Sequence, residues 1–330
     1  MHTNQRLLVE ELIRRGARVE TIDASIELIE ATFQGRSEYI LDRSGKAVSH
    51  VASVLAADKH LSKKALRARG VDCPQGALFG AGQIDEAIAR GVALGFPLVA
   101  KPNVGSNGKG VHSGIGDADR LEAAICSLLL EAGPRAHFIV ERHMEGQEFR
   151  IFITTQGDFA VLLREPASVV GDGLSTIEDL ARAESARRVE AKQRCGSALS
   201  PIVLDEIVVD HLRSQNMLMG SVPAMRQKIV LRLGSNLSQG GSSTDMTERA
   251  HPTSIAIARR ALAAFDGLPC LGIDFICPDI ELPIGPSNPY AIIEVNANPG
   301  LAMHHMPAIG RPRDVARYLA DAMFAELFGQ

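Results

Sequence analysis

The sequence lacks the features of membrane proteins and of nucleic-acid-binding proteins. None of its 330 residues lies in an uninterrupted apolar run approaching 18 residues, and the N-terminus has no basic region followed by a long apolar segment. These absences argue against a membrane span and a secretory leader, so we expect a cytoplasmic location. The charge is nearly balanced, with 35 basic and 39 acidic residues, and no long basic run occurs. We therefore expect neither a nucleic-acid nor a membrane partner.

Cysteine is scarce as well. The five cysteines are an odd number and form no C-x-x-C pair, which argues against a disulfide framework and against a zinc site. We expect reduced thiols in or near the core. They are Cys73, Cys126, Cys195, Cys270 and Cys277.

The apolar content of 45% is enough for a large core, divided into two or three subdomains. Apolar spacing predicts helices over 7–15, 59–69, 84–94 and 118–132, and strands over 17–22, 97–101 and 137–141. Further strands cluster at 147–166 and at 228–232. This order predicts α+β subdomains around a cleft rather than one doubly wound sheet.

Two apolar strands near the C-terminus carry oxygen ligands. Residues 292–300 read IIEVNANPG, and alternation in a strand places Glu294 and Asn296 on one face. Asp274 lies in a similar apolar stretch, 271–276. Three hard oxygen ligands suit Mg²⁺, which completes its coordination shell with water and substrate phosphates. The alternative interpretation is that Asp274 is a strand-end acid and Glu294 an ion-pair partner.

A glycine-rich loop runs over residues 101–111, and its first residue, Lys101, is the last residue of a predicted strand. Glycine allows close approach to a phosphate, successive backbone N–H groups can cradle its oxygens, and lysines supply positive charge. The spacing matches neither a Walker A loop nor G-x-G-x-x-G, and a plain flexible turn is the alternative. The predicted phosphate-binding residues are Lys59, Lys101, Gly105, Ser106, Gly108 and Gly110.

A polar hinge connects the strand at 137–141 to the next strand. Glu141 and Glu148 flank the hinge, seven residues apart around Gly146. A functional interpretation assigns both acids to the nucleotide site, with hinge backbone groups reading an adenine edge and Glu148 holding ribose hydroxyls. The alternative is a hairpin with solvated acids.

In their order along the chain, these motifs resemble those of the ATP-grasp ligases. Residues 163–173 (LREPASVVGDG) and 231–241 (LRLGSNLSQGG) resemble the ATP-grasp region of cyanophycin synthetase and the glutathione-synthetase module of bifunctional glutathione-forming enzymes. The end, 294–313, is closer to the cyanophycin pattern. The resemblance implies an ATP-grasp fold of two α+β subdomains that clasp ATP. It divides the chain into a reduced N-terminal α/β segment (1–57), a small subdomain with the glycine-rich loop (58–145) and a C-terminal subdomain with the metal and substrate sites (146–330).

The resemblance also implies the chemistry. Family members transfer the γ-phosphate of ATP to a carboxylate, and an amine then displaces phosphate, with Mg²⁺ or Mn²⁺ as the metal. Arg232 and Asn236 would stabilise the acyl phosphate and the oxyanion. Arg164 would clamp the donor carboxylate, and both arginines are expected on strands. A surface ion pair is the alternative for Arg164.

Three other segments are interpreted more simply. Residues 234–247 are rich in Gly, Ser and Asn and are expected to form a mobile loop over the intermediate. The charged helical stretch 182–194 is expected to be a solvated face. His304 and His305 are expected to be structural or at the rim of the substrate site.

We therefore expect a stand-alone ATP-dependent carboxylate–amine ligase that forms an amide bond and releases ADP and phosphate. Its expected substrates are amino acids or short peptides, and the sequence leaves their identity open. The sequence also leaves open whether the protein forms a homodimer. One alternative is a glutathione-synthetase-like ligase joining γ-glutamylcysteine to glycine. A scaffold module would need no such ligands, and a non-catalytic ATP-binding regulatory subunit is disfavoured because Asp274, Glu294 and Arg232 are all present.

Overall fold

The computed structural model describes residues 1–105, 108–133, 135–195 and 198–328, without the side chains of residues 194 and 195. In these residues the strands form sheets of three, four, five and two strands, interspersed with helices. The predicted α+β class is confirmed. Within the same residues, no helix has both the length and the apolar character needed to cross a membrane.

The N-terminal segment is a helix packed on an antiparallel meander. Its elements are α1 (Thr3–Arg14), β1 (Arg18–Asp23), β2 (Leu28–Phe33), β3 (Arg36–Leu41) and α2 (His50–Ala57). Leu8 and Leu12 lie one helical turn apart on α1 and are fully buried, against Ile29 and Ile40 of the sheet. The segment was expected to be α/β, but its three strands pair only antiparallel. The short connections explain this, because parallel pairing would need long crossovers.

The next unit carries the glycine-rich loop. Its elements are α3 (Lys59–Ala68), β4 (Gly76–Gly80), α4 (Ile84–Leu94), β5 (Leu98–Pro102), β6 (His112–Ile115), α5 (Ala118–Ala132) and β7 (His137–Arg142). The strands form a sheet in the order β4-β7-β5-β6, against which α4 and α5 pack. The bounds of α4 and α5 agree with the prediction. Asp117 caps the start of α5, and Gly95 and Gly133 follow the two helices with positive φ.

The C-terminal unit is built on a five-stranded antiparallel sheet. Its elements are β8 (Gln147–Thr154), β9 (Phe159–Glu165), β10 (Ser168–Val170), α6 (Ile177–Cys195), α7 (Glu206–Ser214), β11 (Lys228–Val230), a 3-10 turn (Leu237–Gln239), β12 (Ser242–Asp245), α8 (Pro252–Leu262), β13 (Cys270–Cys277) and β14 (Ala291–Asn296). The sheet order is β12-β9-β8-β13-β14. One face is apolar and packs under α8, with Ile151, Ile273 and Phe275 fully buried. Strands β10 and β11 form a separate pair that packs with α6 and α7.

The C-terminal helices are α9 (Ala302–His305), α10 (Val315–Met323) and α11 (Ala325–Phe328). Leu319 and Phe324 share one apolar cluster with Leu8 of α1 and with Phe152 at the end of the five-stranded sheet. The N-terminal segment and the C-terminal helices are therefore packed together against the C-terminal unit. The predicted subdivision near residues 57 and 145 stays a prediction.

The expectations for residues 234–247 and for Cys126 were wrong. Residues 234–247 are not a loop throughout, because β12 pairs with β9 from Ser242 to Asp245. Cys126 is exposed on α5, whereas Cys270 and Cys277 are buried as expected. Both errors have a tertiary cause: strand pairing with β9 organises a polar segment, and position 126 falls on the solvent side of its helix.

Candidate active site

The three predicted metal ligands lie on the polar face of the five-stranded sheet. Asp274 of β13 is directly opposite Glu294 of β14, and Gly272 is opposite Asn296. Side chains opposite each other in register point to the same face, and Asn296 shares that face with Glu294 because it lies two residues further along. The fold therefore brings Asp274, Glu294 and Asn296 together. Their metal-binding role stays a prediction.

Two arginines hold the Asp274 carboxylate. Arg150 Nε lies 2.8 Å from Asp274 Oδ1, and Arg164 Nη2 lies 3.1 Å from Oδ2. All three side chains are buried. Burial acts to raise the pKa of Asp274, but Arg150 and Arg164 outweigh it and hold that pKa below its ordinary value. Asp274 is therefore an anion at neutral pH, as a metal ligand has to be.

Arg150 was missed by the sequence interpretation. It lies opposite Asp274 on β8, two residues after Glu148, so alternation places it on the same face as Glu148. That alternation was a usable signal. Arg150 Nε makes its 2.8 Å contact with Asp274 without hydrogen-bond geometry, and Asp274 Oδ1 has no hydrogen-bond partner in the described residues.

These observations bear on the fit of a divalent cation. A buried carboxylate oxygen that accepts no hydrogen bond keeps its lone pairs for another ligand. Glu294 Oε1 lies 3.7 Å from Lys59 Nζ, beyond hydrogen-bond distance. An all-oxygen set of two carboxylates and a carboxamide fits Mg²⁺. In the described part of the chain, no group of three or more His, Cys, Asp or Glu side chains forms a metal cluster, so any cation here would rely on Asn296 and on substrate oxygens.

Glu148 lies on the same face and has two partners. Arg164, opposite it on β9, donates to one carboxylate oxygen, and the Ser235 hydroxyl donates to the other. Glu148 therefore joins Arg164 to the loop that follows β11. Its predicted contact with ribose stays a prediction. Ser235 was not singled out, although it lies in the segment 234–247 that was.

Glu141 lies between two lysines. Lys101 Nζ is 2.7 Å from Glu141 Oε1, and Lys63 Nζ pairs with Oε2. Burial acts to raise the pKa of Glu141, but Lys101 and Lys63 outweigh it and lower that pKa. For Lys63 burial has the larger effect and lowers its pKa to about 8, although pairing with Glu141 acts to raise it. The Glu141 carboxylate is thus the buried counter-ion of Lys101, a residue predicted to bind phosphate.

Lys63 was also missed. It lies four residues after Lys59 on α3, so the two lysines lie on one face of that helix. This spacing was the available signal. The Lys101 ammonium also donates to the carbonyl oxygen of Ile293 at 3.3 Å, which links the small sheet to β14.

Lys59 connects the glycine-rich loop to the predicted metal site. Its Nζ donates to the Gly105 carbonyl oxygen at 2.8 Å and lies 3.7 Å from Glu294 Oε1. Burial lowers the pKa of Lys59, although Glu294 partly offsets this effect. A small cleft opens at this point. It is lined by Lys59, Pro102, Gly105, Gly108, Lys109, Val111 and Glu294.

The glycine-rich loop needs glycine for a steric reason. Gly108 has φ of 69°, and a Cβ added there would lie 2.2 Å from Asn236 Nδ2. Gly105 and Gly110 also have positive φ, and Gly105 lines the cleft. The structure thus brings predicted residues of the loop beside Lys59 and Asn236. Ser106 lies outside the described residues.

Arg232 lies elsewhere than expected. Strand β11 ends at Val230, so the expectation that Arg232 is on a strand was wrong. Its Nη2 donates to the Val203 carbonyl oxygen at 2.7 Å and lies 3.1 Å from Asp205 Oδ1. Strand β11 ends with Val230, which is opposite Ser168 of β10, and beyond it Arg232 pairs with Asp205 at the start of α7. Its catalytic role stays a prediction.

Helix α6 supports the loop that carries Asn236. Arg188 is only 6% exposed, and its Nη1 donates to the carbonyl oxygens of Gly240 at 2.7 Å and Ser200 at 3.1 Å. Residues 182–194 were expected to be a solvated face, and for Arg188 this expectation was wrong. A long helix that crosses the loop has to bury one side, and the guanidinium satisfies the turn carbonyls that are buried there.

The histidine pair is structural. His305 Nε2 accepts a hydrogen bond from the backbone N–H of Ala316, at the start of α10. His304 is fully buried beside Phe152, and burial lowers its pKa to about 3. Neither ring nitrogen of His304 has a hydrogen-bond partner in the described residues. His304 is therefore neutral at physiological pH.

Comparison with known proteins matches most or all of the chain to one part of larger enzymes. The chain is 30% identical over 335 residues to the glutathione biosynthesis bifunctional protein GshAB of Mannheimia succiniciproducens, which covers 99% of this chain and 43% of that protein. It is 35% identical over 273 residues to the cyanophycin synthetase of Geminocystis herdmanii, covering 82% of this chain and 30% of the relative. No family model matches.

Among solved structures, the bifunctional glutathione synthetase of Pasteurella multocida superimposes with a TM-score of 0.69 at 27% identity. The superposition covers 99% of this chain and 44% of that protein. The chain thus spans less than half the length of these relatives.

Proposed function

Because the chain belongs to the ATP-grasp ligase family, we propose that it joins a carboxylate to an amine and converts ATP to ADP and phosphate. The observation that carries this proposal is the convergence of Asp274, Glu294 and Asn296 on one sheet face, beside the cleft formed by Lys59 and the glycine-rich loop. Phosphoryl transfer needs anionic metal ligands next to cationic phosphate ligands, and this site has both.

The phosphates of ATP bind between the unit that carries the glycine-rich loop and the C-terminal unit. Lys59 and Lys101 offset their charge, and Gly105 and Gly108 let the backbone approach them. Glu141 keeps Lys101 in place as its buried counter-ion. Asp274, Glu294 and Asn296 would hold Mg²⁺, which when bound would neutralise charge on the transferred phosphate.

The donor carboxylate binds beside Arg164. One of its oxygens attacks the γ-phosphorus, and the bond from that phosphorus to the β,γ-bridging oxygen of ATP breaks, so ADP leaves. The amine nitrogen of the acceptor then attacks the acyl carbon, phosphate leaves with the pair of electrons of the broken C–O bond, and the proton lost by the nitrogen is taken up by the departing phosphate. Asn236 lies against Gly108 and donates to the developing oxyanion, while Arg232 stabilises the acyl phosphate. The substrates are amino acids or short peptides.

A second candidate is a ligase that joins γ-glutamylcysteine to glycine, as in glutathione synthesis. The observation that favours it is the match to bifunctional glutathione enzymes over 99% of the chain. The two candidates differ only in their substrates. They are separated by measuring which amino acids and peptides the enzyme consumes.

The test is ADP release from ATP over a panel of amino acid and dipeptide pairs, with mass detection of the product. We expect ADP and phosphate to form only when a carboxylate donor and an amine acceptor are both present. AMP and pyrophosphate as products would refute the mechanism. If the chain binds ATP but releases no ADP with any of the substrate pairs, the result would support a non-catalytic regulatory subunit instead.

A further inference from the structure

The chain turns sharply directly after the predicted ligand Asn296, and the N-terminal segment holds this turn. Arg43 Nη2 donates to the carbonyl oxygen of Asn298 at 3.1 Å. The Asn298 carboxamide in turn donates to Asp42 Oδ2 at 2.7 Å. Asn298 lies two positions after Asn296. Its backbone is bonded to Arg43 and its side chain to Asp42, which precede it by 255 and 256 positions in the chain.

The far end of the same turn is also bonded to the N-terminal segment. Asn4 Oδ1 accepts hydrogen bonds from the backbone N–H groups of Leu301 and Ala302, each at 2.9 Å. These are donors at the start of α9, which a helix leaves without internal partners. Asn4 therefore fixes where α9 begins, and Arg43 and Asp42 fix where the turn leaves β14.

The burial of Arg43 is not explained by the core around it. Its side chain is 7% exposed, its Nη1 lies 2.6 Å from Asp42 Oδ1, and the nearby cluster is apolar. Burial lowers the pKa of Arg43, and Asp42 only partly offsets this effect. A buried ion pair is a weak source of stability compared with apolar packing. Apolar side chains in place of Arg43 and Asp42 could not make the hydrogen bonds that these two residues make with Asn298.

Asp42 lies in the turn that directly follows β3. Its φ is 55°, a left-handed conformation that Asp adopts more readily than most non-glycine residues, and the backbone N–H of Ser44 closes the turn by donating to the Leu41 carbonyl oxygen at 2.8 Å. Asp42 and Arg43 are thus adjacent in one turn, and each is hydrogen-bonded to Asn298.

We propose that Arg43 is a positioning residue for the predicted metal site. It acts through the turn at Asn298 and holds Asn296, and with it the end of β14, in the position needed for ligation. This inference rests on the proposed function, since it concerns the same cation. Residues outside the ligand set that orient ligands typically change metal affinity by about 10- to 100-fold when removed.

The experiment measures cation binding rather than turnover. The full chain is saturated with a non-hydrolysable ATP analogue, and the affinity for Mn²⁺ is determined by electron paramagnetic resonance. The variant Arg43→Lys keeps the charge and loses the planar fork. The matched control is Arg36→Lys, because Arg36 lies in the same segment and also donates to a backbone carbonyl, that of Glu326, at 2.8 Å and away from the turn.

We expect Arg43→Lys to weaken Mn²⁺ binding by about 10-fold. Arg36→Lys should bind Mn²⁺ like the wild type, and thermal denaturation should show both variants folded. Asn298→Ala removes the bond to Asp42 from an exposed position and should weaken Mn²⁺ binding in the same direction. If Arg43→Lys does not fold, this variant tests whether the turn through which Arg43 acts positions Asn296, because unchanged Mn²⁺ affinity in it would show that the turn does not.

The outcomes separate the two proposals. A wild-type chain that binds no Mn²⁺ with the nucleotide analogue would overturn the proposed function. Wild-type binding with unchanged affinity in folded Arg43→Lys and in Asn298→Ala would overturn only the positioning role. Equal weakening in Arg36→Lys would also overturn it, because the effect would then be one of general stability.

Discussion

Gly108 packs directly against the carboxamide of Asn236, so closely that a Cβ at position 108 would lie 2.2 Å from Asn236 Nδ2. Gly114 makes a second close contact of this kind, since a Cβ added there would lie 2.9 Å from Leu233 Cδ1. The glycine-rich loop region and the loop after β11 therefore touch each other across the cleft. A nucleotide phosphate bound to the first would lie beside the predicted oxyanion donor on the second.

The first prediction concerns this contact. Gly108→Ala should weaken binding of an ATP analogue by about 1–2 kcal/mol, because a left-handed conformation costs an L-residue that much. The added methyl group should also push Asn236 aside and lower kcat. Isothermal titration and ADP release measure the two effects. Gly116→Ala is the control, since Gly116 has no neighbour within 4 Å of an added Cβ, and unchanged binding in Gly108→Ala would contradict the prediction.

The second prediction concerns Glu294. Glu294→Gln should nearly abolish turnover at saturating Mg²⁺, because it removes a charged ligand while keeping the shape of the side chain. The fold should survive, since the carboxylate is 27% exposed and its contact with Lys59 is 3.7 Å long. ADP release and thermal denaturation are the measurements. Glu281→Gln, in a surface pair with Arg249, is the control, and wild-type turnover in Glu294→Gln would rule out the metal role.

The third prediction concerns Arg164. Arg164→Lys should weaken donor-dependent ADP release by about 1.5–3 kcal/mol, the range for hydrogen bonds to charged groups, because Lys cannot form a bidentate fork. Binding of the ATP analogue should change little. Arg182→Lys, in an exposed pair on α6, is the control. If donor dependence is unchanged and Mn²⁺ affinity falls instead, Arg164 serves only as the partner of Asp274 and Glu148.

Much of the site could be predicted because it depends on local patterns. Alternation within one strand was enough to place Glu294 and Asn296 on one face, and the antiparallel register adds Asp274 directly opposite Glu294. The order of motifs was enough for the ATP-grasp resemblance, which the matches to glutathione and cyanophycin enzymes confirm. Helices α4 and α5 followed from the pattern of their own segments.

Local patterns could have singled out Arg150 and Lys63, but they do not encode the distant partners of the missed residues. Arg43 meets Asn298 across 255 positions, and Lys63 meets Glu141 across 78. Strand β12 escaped prediction because its polar residues form a strand only through pairing with β9. Propensity describes each segment by itself, whereas these features arise when distant segments are packed together.

The last prediction concerns pH. Burial lowers the pKa of His304 to about 3, and the charges around it are Arg150, Arg164, His305 and Asp245. In the unfolded chain a histidine has a pKa of about 6.5. The unfolded state therefore binds one more proton than the folded state between these values. The stability that neutral His304 contributes is present above pH 6.5 or so and is lost as the pH falls, by about 1.4 kcal/mol per pH unit.

His304→Leu should remove this dependence. The free energy of unfolding of the variant, measured by urea denaturation from pH 7 to pH 5, should fall less steeply than that of the wild type, by a slope equivalent to about one proton. The exposed His50 provides the control, and His50→Gln should keep the wild-type slope. Because the comparison uses slopes, a change in absolute stability from repacking beside Phe152 does not affect it. Equal slopes in wild type and His304→Leu would mean that the pKa of His304 is not lowered in the folded protein, contrary to its burial and to the nearby charges of Arg150 and Arg164.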